Sequence, residues 1–183
     1  MRLSGLAALV VAAFASEGCL VVAFNPIYDD RTIEFDERLL GTWENAEEES
    51  SLAISRGTWR SYDVTYTKGE TSLRLTAVGT RIGEGHFLDL AHERGVDTLP
   101  LMLAAHAVVR VRLLGETLTV DGFDYEWWMR AAGQGSLKKL RFAIDERQNL
   151  VLTSPTAVLR EWIAGAQGSE EAYGDPLTFV RRR

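Results

Sequence analysis

Cysteine is nearly missing from this chain: Cys19 is the only one in 183 residues. A lone thiol excludes an intramolecular disulfide and a zinc site built from cysteines. Basic residues are outnumbered, 20 Lys and Arg against 26 Asp and Glu, and the net charge is −6. Phosphate backbones are held by a basic footprint, so this balance argues against a nucleic-acid partner. Internal repeats, low-complexity tracts and long linkers are absent after residue 36. Also absent are a Gly-x-Ser-x-Gly elbow, a phosphate-cradling loop ending in Lys-Ser/Thr, EF-hand spacing and a His-Glu-x-x-His helix. These gaps remove the common hydrolase, nucleotide-binding and calcium-binding signatures. An enzyme is not expected, nor is a cofactor or a metal.

What is present begins with a leader. Arg2 supplies a positive start and Leu6 to Phe14 an apolar run of nine residues. That run suits a signal peptide and is too short to span a bilayer. Three readings of Cys19 follow. Cleavage after Ala13-Phe14-Ala15 would leave it a bystander. Cleavage before Cys19, with acylation of its thiol, would make it a lipid anchor, and Gly18 fits the preceding position. An uncleaved span from Leu6 to Phe24 would bury Glu17, at a cost of a few kcal/mol. The acylated reading is favoured, with Leu20 to Phe24 at the interface and "YDDRTIEFDE" as a charged tether.

The body is dominated by alternation, the mark of half-buried strands. Tyr62, Val64 and Tyr66 share one face against Asp63 and Thr65. Leu73, Leu75 and Ala77 repeat the pattern, as do Val109, Val111 and Leu113, then Leu118 and Val120, then Leu140, Phe142 and Ile144. Turn residues separate the runs at Lys68-Gly69, Gly83-Glu84-Gly85, Leu114-Gly115-Glu116 and Glu146 to Asn149. Ten strands are expected, at 40–46, 51–56, 60–67, 71–79, 85–91, 104–114, 117–122, 138–145, 149–153 and 177–181. Short strands at this spacing predict an antiparallel sandwich or barrel. Ser154 as N-cap, Pro155 and the stripe Leu159, Trp162, Ile163 and Ala166 predict one C-terminal helix packed on the sheet, stopping near Gly168. A shorter helical turn is expected over Tyr125 to Ala132.

The first strand opens with Gly41-Thr42-Trp43, which resembles the Gly-x-Trp that begins lipocalin-like barrels. In those barrels the Trp plugs one end under an arginine from a late strand, a place Arg181 or Arg182 could fill here. Five further segments, "FNPIYDDRTIEFDERLLGTW", "HFLDL", "LPLMLAAHAVVRV", "LTSPTAVLREWI" and "GDPLTFVRR", are similar to an uncharacterised group of bacterial lipoproteins with a lipocalin-like domain. The likeness covers most of the chain. It implies export, lipid anchoring and an all-β, antiparallel lipocalin-like barrel of eight to ten strands with one C-terminal helix. The implied organisation is a signal peptide over 1–18, a lipid anchor and tether over 19–36, and a single lipocalin-like domain over 37–183. No activity comes with the resemblance. Ser16 and Glu17 depart from the usual residues before the lipid-bearing cysteine.

Few residues suggest chemistry. "GEGHFLDLAHE" gathers Glu84, His86, Asp89, His92 and Glu93, but on a strand His86 and Asp89 face opposite sides, against a shared metal. His106 shares a face with Val108, Arg110 and Arg112, which suits a hydrogen-bonded structural role or a ligand contact. Adjacent Trp127 and Trp128 cannot both point into one core, so one of them is a candidate contact for ligand, membrane or partner. Tyr62, Tyr66 and Phe142 are expected to face the barrel interior. The expected function is a membrane-anchored binding module of the bacterial envelope, at the outer rather than the inner membrane, holding a small apolar ligand. The alternative is a plugged barrel that serves envelope interaction or assembly through its outer surface.

Overall fold

The computed structural model describes residues 19–92, 105–166 and 169–183. The expected signal peptide, the Ala13-Phe14-Ala15 site, Glu93 and the Gly168 stop lie outside the described residues. The chain enters through two short strands, β1 (Val21–Ala23) and β2 (Ile33–Glu34). Seven longer ones follow: β3 (Gly41–Asn45), β4 (Ser50–Arg56), β5 (Ser61–Lys68), β6 (Thr71–Ile82), β7 (Gly85–His92), β8 (His106–Leu114) and β9 (Thr117–Gly122). Helix α1 (Tyr125–Gly133), β10 (Phe142–Ile144), β11 (Leu150–Leu152), helix α2 (Thr156–Ala166) and β12 (Leu177–Arg181) complete the order.

Eight strands close into an antiparallel barrel. From β3 to β9 each pairs with the next, β9 pairs with β12, and β12 returns to β3. Of the sandwich or barrel expected from the alternating runs, the barrel is the one that forms, and the lipocalin-like barrel implied by the resemblance fits it. The phase of those runs holds for the barrel strands: Leu52, Ile54, Tyr62, Val64, Tyr66, Leu75, Ala77, Val109, Val111, Leu118 and Val120 fill one interior cluster. Gly115, at φ 58°, supplies the left-handed turn between β8 and β9 and so sets their register.

One end of the barrel is closed by the Gly-x-Trp feature. Trp43 is fully buried, and its Nε1 donates to the Leu39 carbonyl at 2.9 Å, at the end of a 3-10 turn over Glu37–Leu39. The Arg181 guanidinium lies 4.0 Å from the centre of the Trp43 ring. It donates from Nη1 to the Leu40 carbonyl at 2.6 Å and from Nη2 to the Arg38 carbonyl. Gly41 explains its own place. Its φ is 134°, and a Cβ there would lie 2.6 Å from Arg181 Nη1.

A second core forms outside the barrel. β1 runs parallel to β11, which pairs with β10, and β1 joins the barrel through Ala23 opposite His106 on β8. Beneath this extension, α1 and α2 pack Trp128, Ala131, Leu159 and Ile163 against Phe87, Val108, Phe123 and Tyr173. Both helices were foreseen, but Ser154 is not used as foreseen for a cap. Its hydroxyl accepts from Arg141 N at 2.7 Å and its carbonyl from Asn25 Nδ2 at 3.0 Å.

Two expectations are corrected here. Residues 19–36 are not a tether, and the packed domain does not begin at 37. Val21, Val22 and Ala23 are buried in the sheet and Ile27 and Ile33 in the cores, because this segment completes a sheet edge that is otherwise open. Four contacts clamp Asn25 to Ile27. They are Asn25 to Ser154, Thr156 Oγ1 to the Pro26 carbonyl, Ile27 N to Asp89, and Arg160 to the Ile27 carbonyl. With Val21–Ala23 held in a strand, a span from Leu6 to Phe24 loses its last turn. Among the described residues no helix is long and apolar enough to cross a membrane.

The second correction concerns 138–145 and 149–153, which are not barrel strands. Leu140 is buried under the helices before β10 starts, while Phe142 and Ile144 are exposed on an outer strand rather than inward.

If the Trp43–Arg181 closure carries the barrel, Trp43→Ala should lower unfolding free energy by about 3–5 kcal/mol in urea titration. Gly41→Ala should cost more than Gly69→Ala. Both sites have positive φ, but only at Gly41 would the methyl meet a neighbouring atom.

Candidate functional site

An apolar cavity opens where β8 outruns β9. Their pairing ends at Val109 opposite Gly122, while β8 extends back to His106 and there takes β1 as its neighbour. β9 turns away at Phe123, which bridges to Tyr173, and Gly174 N donates to the Gly122 carbonyl at 2.9 Å. Between the departing β9 and the arriving β1 opens a cavity of about 420 Å³. Ala107, Val109, Val120 and Leu177 of the barrel interior form its floor. Leu20 and Val22 wall one side, and Phe123, Tyr125 and Tyr173 line the other. This exceeds the roughly 300 Å³ at which ligand pockets begin.

Cys19 stands on the wall of this cavity. It is a free, half-buried thiol, with Sγ 3.8 Å from the Arg147 carbonyl. Its neighbour Leu20 is already held, donating to Asn149 Oδ1 at 2.9 Å and accepting from Leu150 N at 2.8 Å.

A second cavity of about 460 Å³ lies at the opposite end, between the 3-10 turn and the β6–β7 hairpin. Polar ties cross its walls: His86 Nδ1 to Glu34 at 3.4 Å, Arg38 to Asp36 at 2.7 Å, and Asp36 N to Tyr62 Oη at 2.6 Å. In the first cavity the Tyr125 hydroxyl and the Cys19 thiol interact across the walls, but its floor of Ala107, Val109, Val120 and Leu177 is wholly apolar, which makes it the better receptacle for an apolar body.

The residues singled out from the sequence disperse. Tyr66 is buried in the barrel interior. Tyr62 is also buried, stacked 4.5 Å from Phe35, and it reaches the second cavity but not the first. Burial raises its hydroxyl pKa despite the bond from Asp36. His106 lies outside the barrel, where Nδ1 meets Asp89 Oδ1 at 2.6 Å and Asp89 Oδ2 accepts from Ile27 N at 2.8 Å. This imidazole–carboxylate pair fastens the N-terminal segment, and among the described residues no hydroxyl or thiol is bonded to His106. Trp128 is buried and donates from Nε1 to the Ala172 carbonyl, while Trp127 packs edge-on against Trp162 of α2. Among the described residues no three His, Cys, Asp or Glu side chains converge as metal ligands.

Sequence reasoning missed two features. One is a charge cluster built on the buried Arg110–Asp121 pair on the outer face of β8 and β9, with the exposed Glu170 joined to it. Arg110 donates to Asp121 and to Glu170 Oε1 and Oε2 at 3.0 and 2.7 Å, and its guanidinium stacks 4.1 Å from the centre of the Tyr173 ring. Burial alone would lower the Arg110 pKa, but the bonds to both carboxylates outweigh it and the net shift is upward. The signal was available, since the Gly115 turn places Arg110 directly opposite Asp121. The other is Trp59, 67% exposed at φ 58° in the β4–β5 turn, on the same end of the barrel as Leu114, 84% exposed.

No protein-family model matches this chain, and no curated protein or solved structure matches it at a significant level.

Burial pushes the Tyr173 hydroxyl up to about 12, against 10.0 for the free side chain. The raised value disfavours the phenolate in the fold, so the associated stability is intact below pH 10 and lost as pH rises toward 12. Between pH 9 and ~11.5 the wild-type chain should lose about 2 kcal/mol more unfolding free energy than Tyr173→Phe, measured by urea denaturation.

Proposed function

We propose that this chain is an exported bacterial lipoprotein, anchored by an acyl group on Cys19, that holds a small apolar ligand at the mouth of its barrel without transforming it. The observation that carries the reading is the cavity of about 420 Å³ between β1 and β9, with Cys19 on its wall. Its floor is apolar and continuous with the barrel interior. The leader ahead of Cys19 has the positive start and short apolar run of an export signal. Multiple acyl chains give stable attachment where a single one does not. The favoured address is the periplasmic face of an outer membrane.

The fold makes such an anchor short. Leu20 is bonded into the β10–β11 turn and β1 begins at Val21, so the cavity wall and the attachment point are one rigid piece. A lipid surface held at Cys19 would therefore lie beside the cavity mouth.

A second reading draws on a separate observation. Trp43, Tyr62, Tyr66 and Phe179 fill the barrel interior, while Trp59 and Leu114 project from one end. A packed barrel presenting apolar tips suits an envelope interaction or assembly protein.

The full chain, expressed in a bacterial host, separates these readings. Intact mass should show an acylated residue 19, and Cys19→Ser should move the protein from the membrane to the soluble fraction. Native mass spectrometry should show extra mass that organic extraction removes and that Val22→Phe abolishes. Clean protein with no bound mass and no uptake of an apolar fluorophore would sink the carrier reading and leave the interaction reading ahead.

A further inference from the structure

We infer that the ligand of the β1–β9 cavity carries a positively charged head: a single-chain ammonium amphiphile, preferred over the alcohol or carboxylate of equal chain length. This rests on the binding reading above and adds to it the chemistry of the head group.

The cavity is apolar within and acidic at its rim. Asp124, Glu126 and Asp175 stand on its lining, and among the described residues no Lys, Arg or His does. Asp124 is already engaged as the cap of α1, where its Oδ1 accepts from Trp127 N at 2.6 Å. Glu126 and Asp175 are exposed and have no ion-pair partner among the described residues. Two carboxylates at the mouth of an apolar cavity are complementary to one cation on an apolar tail and repel an anionic head.

The aromatic lining points the same way. Tyr125, half-buried, lines the wall, and an aromatic face attracts ammonium groups that have shed water. Arg110 does not reverse the sign. It stacks on the Tyr173 ring but is matched by Asp121 and Glu170. The whole chain is acidic as well, at −6, which adds a long-range bias toward cations.

The test is calorimetric titration of the purified full chain with decyltrimethylammonium, decanol and decanoate, each below its micelle concentration. The ammonium should bind roughly fivefold to tenfold tighter than decanol, with decanoate the weakest. The gap between the charged ligands should shrink in ~1 M salt, where exposed charges are screened. The double substitution Glu126→Gln with Asp175→Asn touches only exposed side chains. It should bring the ammonium within about twofold of decanol and leave decanol unchanged. Val22→Phe should weaken all three. Decanoate binding as tightly as the ammonium, or an ammonium preference that survives neutralisation of both carboxylates, would overturn the inference while leaving a general apolar carrier intact. No binding by any of the three would overturn both.

Discussion

The barrel is held shut by a guanidinium lying on an indole. The seam between the first and last barrel strands is short: β12 meets β3 at only two paired positions, Val180 with Glu44 and Arg181 with Trp43, against four with β9. Backbone pairing of that extent is weak for a closing contact. Arg181 reinforces it by stacking on Trp43 and by bonding the carbonyls of Arg38 and Leu40, which tie the 3-10 turn to the last strand. Gly41 belongs to the same device, since any side chain there would push the guanidinium off the ring. Each part requires the others, which is why a tripeptide and a distant arginine behave as one unit.

Once the seam is closed, the other strands have fixed neighbours and mismatches in length have consequences. β8 is longer than its pairing with β9, and the surplus at His106 to Val108 would leave an open edge. β1 covers that edge, and through β11 and β10 it builds the outer sheet under which the two helices pack. The cavity is the space left where one partner of β8 leaves and the next arrives. Its walls therefore come from opposite ends of the chain, the Cys19 to Val22 segment on one side and the Phe123 and Tyr173 turns on the other.

This division also explains what could be read beforehand. The barrel strands were legible because each has one buried and one outer face, so apolar and polar residues alternate as in Tyr62-Asp63-Val64. The hairpins were legible because adjacent strands meet across glycine turns. β1 was not, because Leu20 to Phe24 is apolar without alternation, and a strand covered on both faces looks like a segment meant for lipid. Leu150, the partner of Val21, is 129 residues further along the chain, and no local signal joins them. Phe142 was misplaced for a related reason: alternation identifies a strand face but not which sheet receives it. The cavity was invisible altogether, since Val22, Val109 and Val120 are ordinary core residues until their packing around β8 is known. Cys19 was noticed for the apolar run that precedes it in sequence, and its place on a cavity wall had no sequence correlate.

The joining of chain ends sets an order of events during folding. β1 needs Leu150 to Leu152, and β3 needs Val180 and Arg181, so neither end of the chain can finish its sheet until nearly all of it has been delivered. The hairpins from β3 to β7 can form early, because their contacts are local. The closing contacts are among the most distant in sequence and carry the largest loop entropy to overcome. A chain threaded from its N-terminus would hold β1 unpaired for most of its passage, an apolar strand waiting for a partner still to arrive. The long-range closures of β1 on β11 and of β12 on β3 therefore depend on late segments, and a truncation near Arg181 would strand an assembled set of hairpins as an open, sticky sheet.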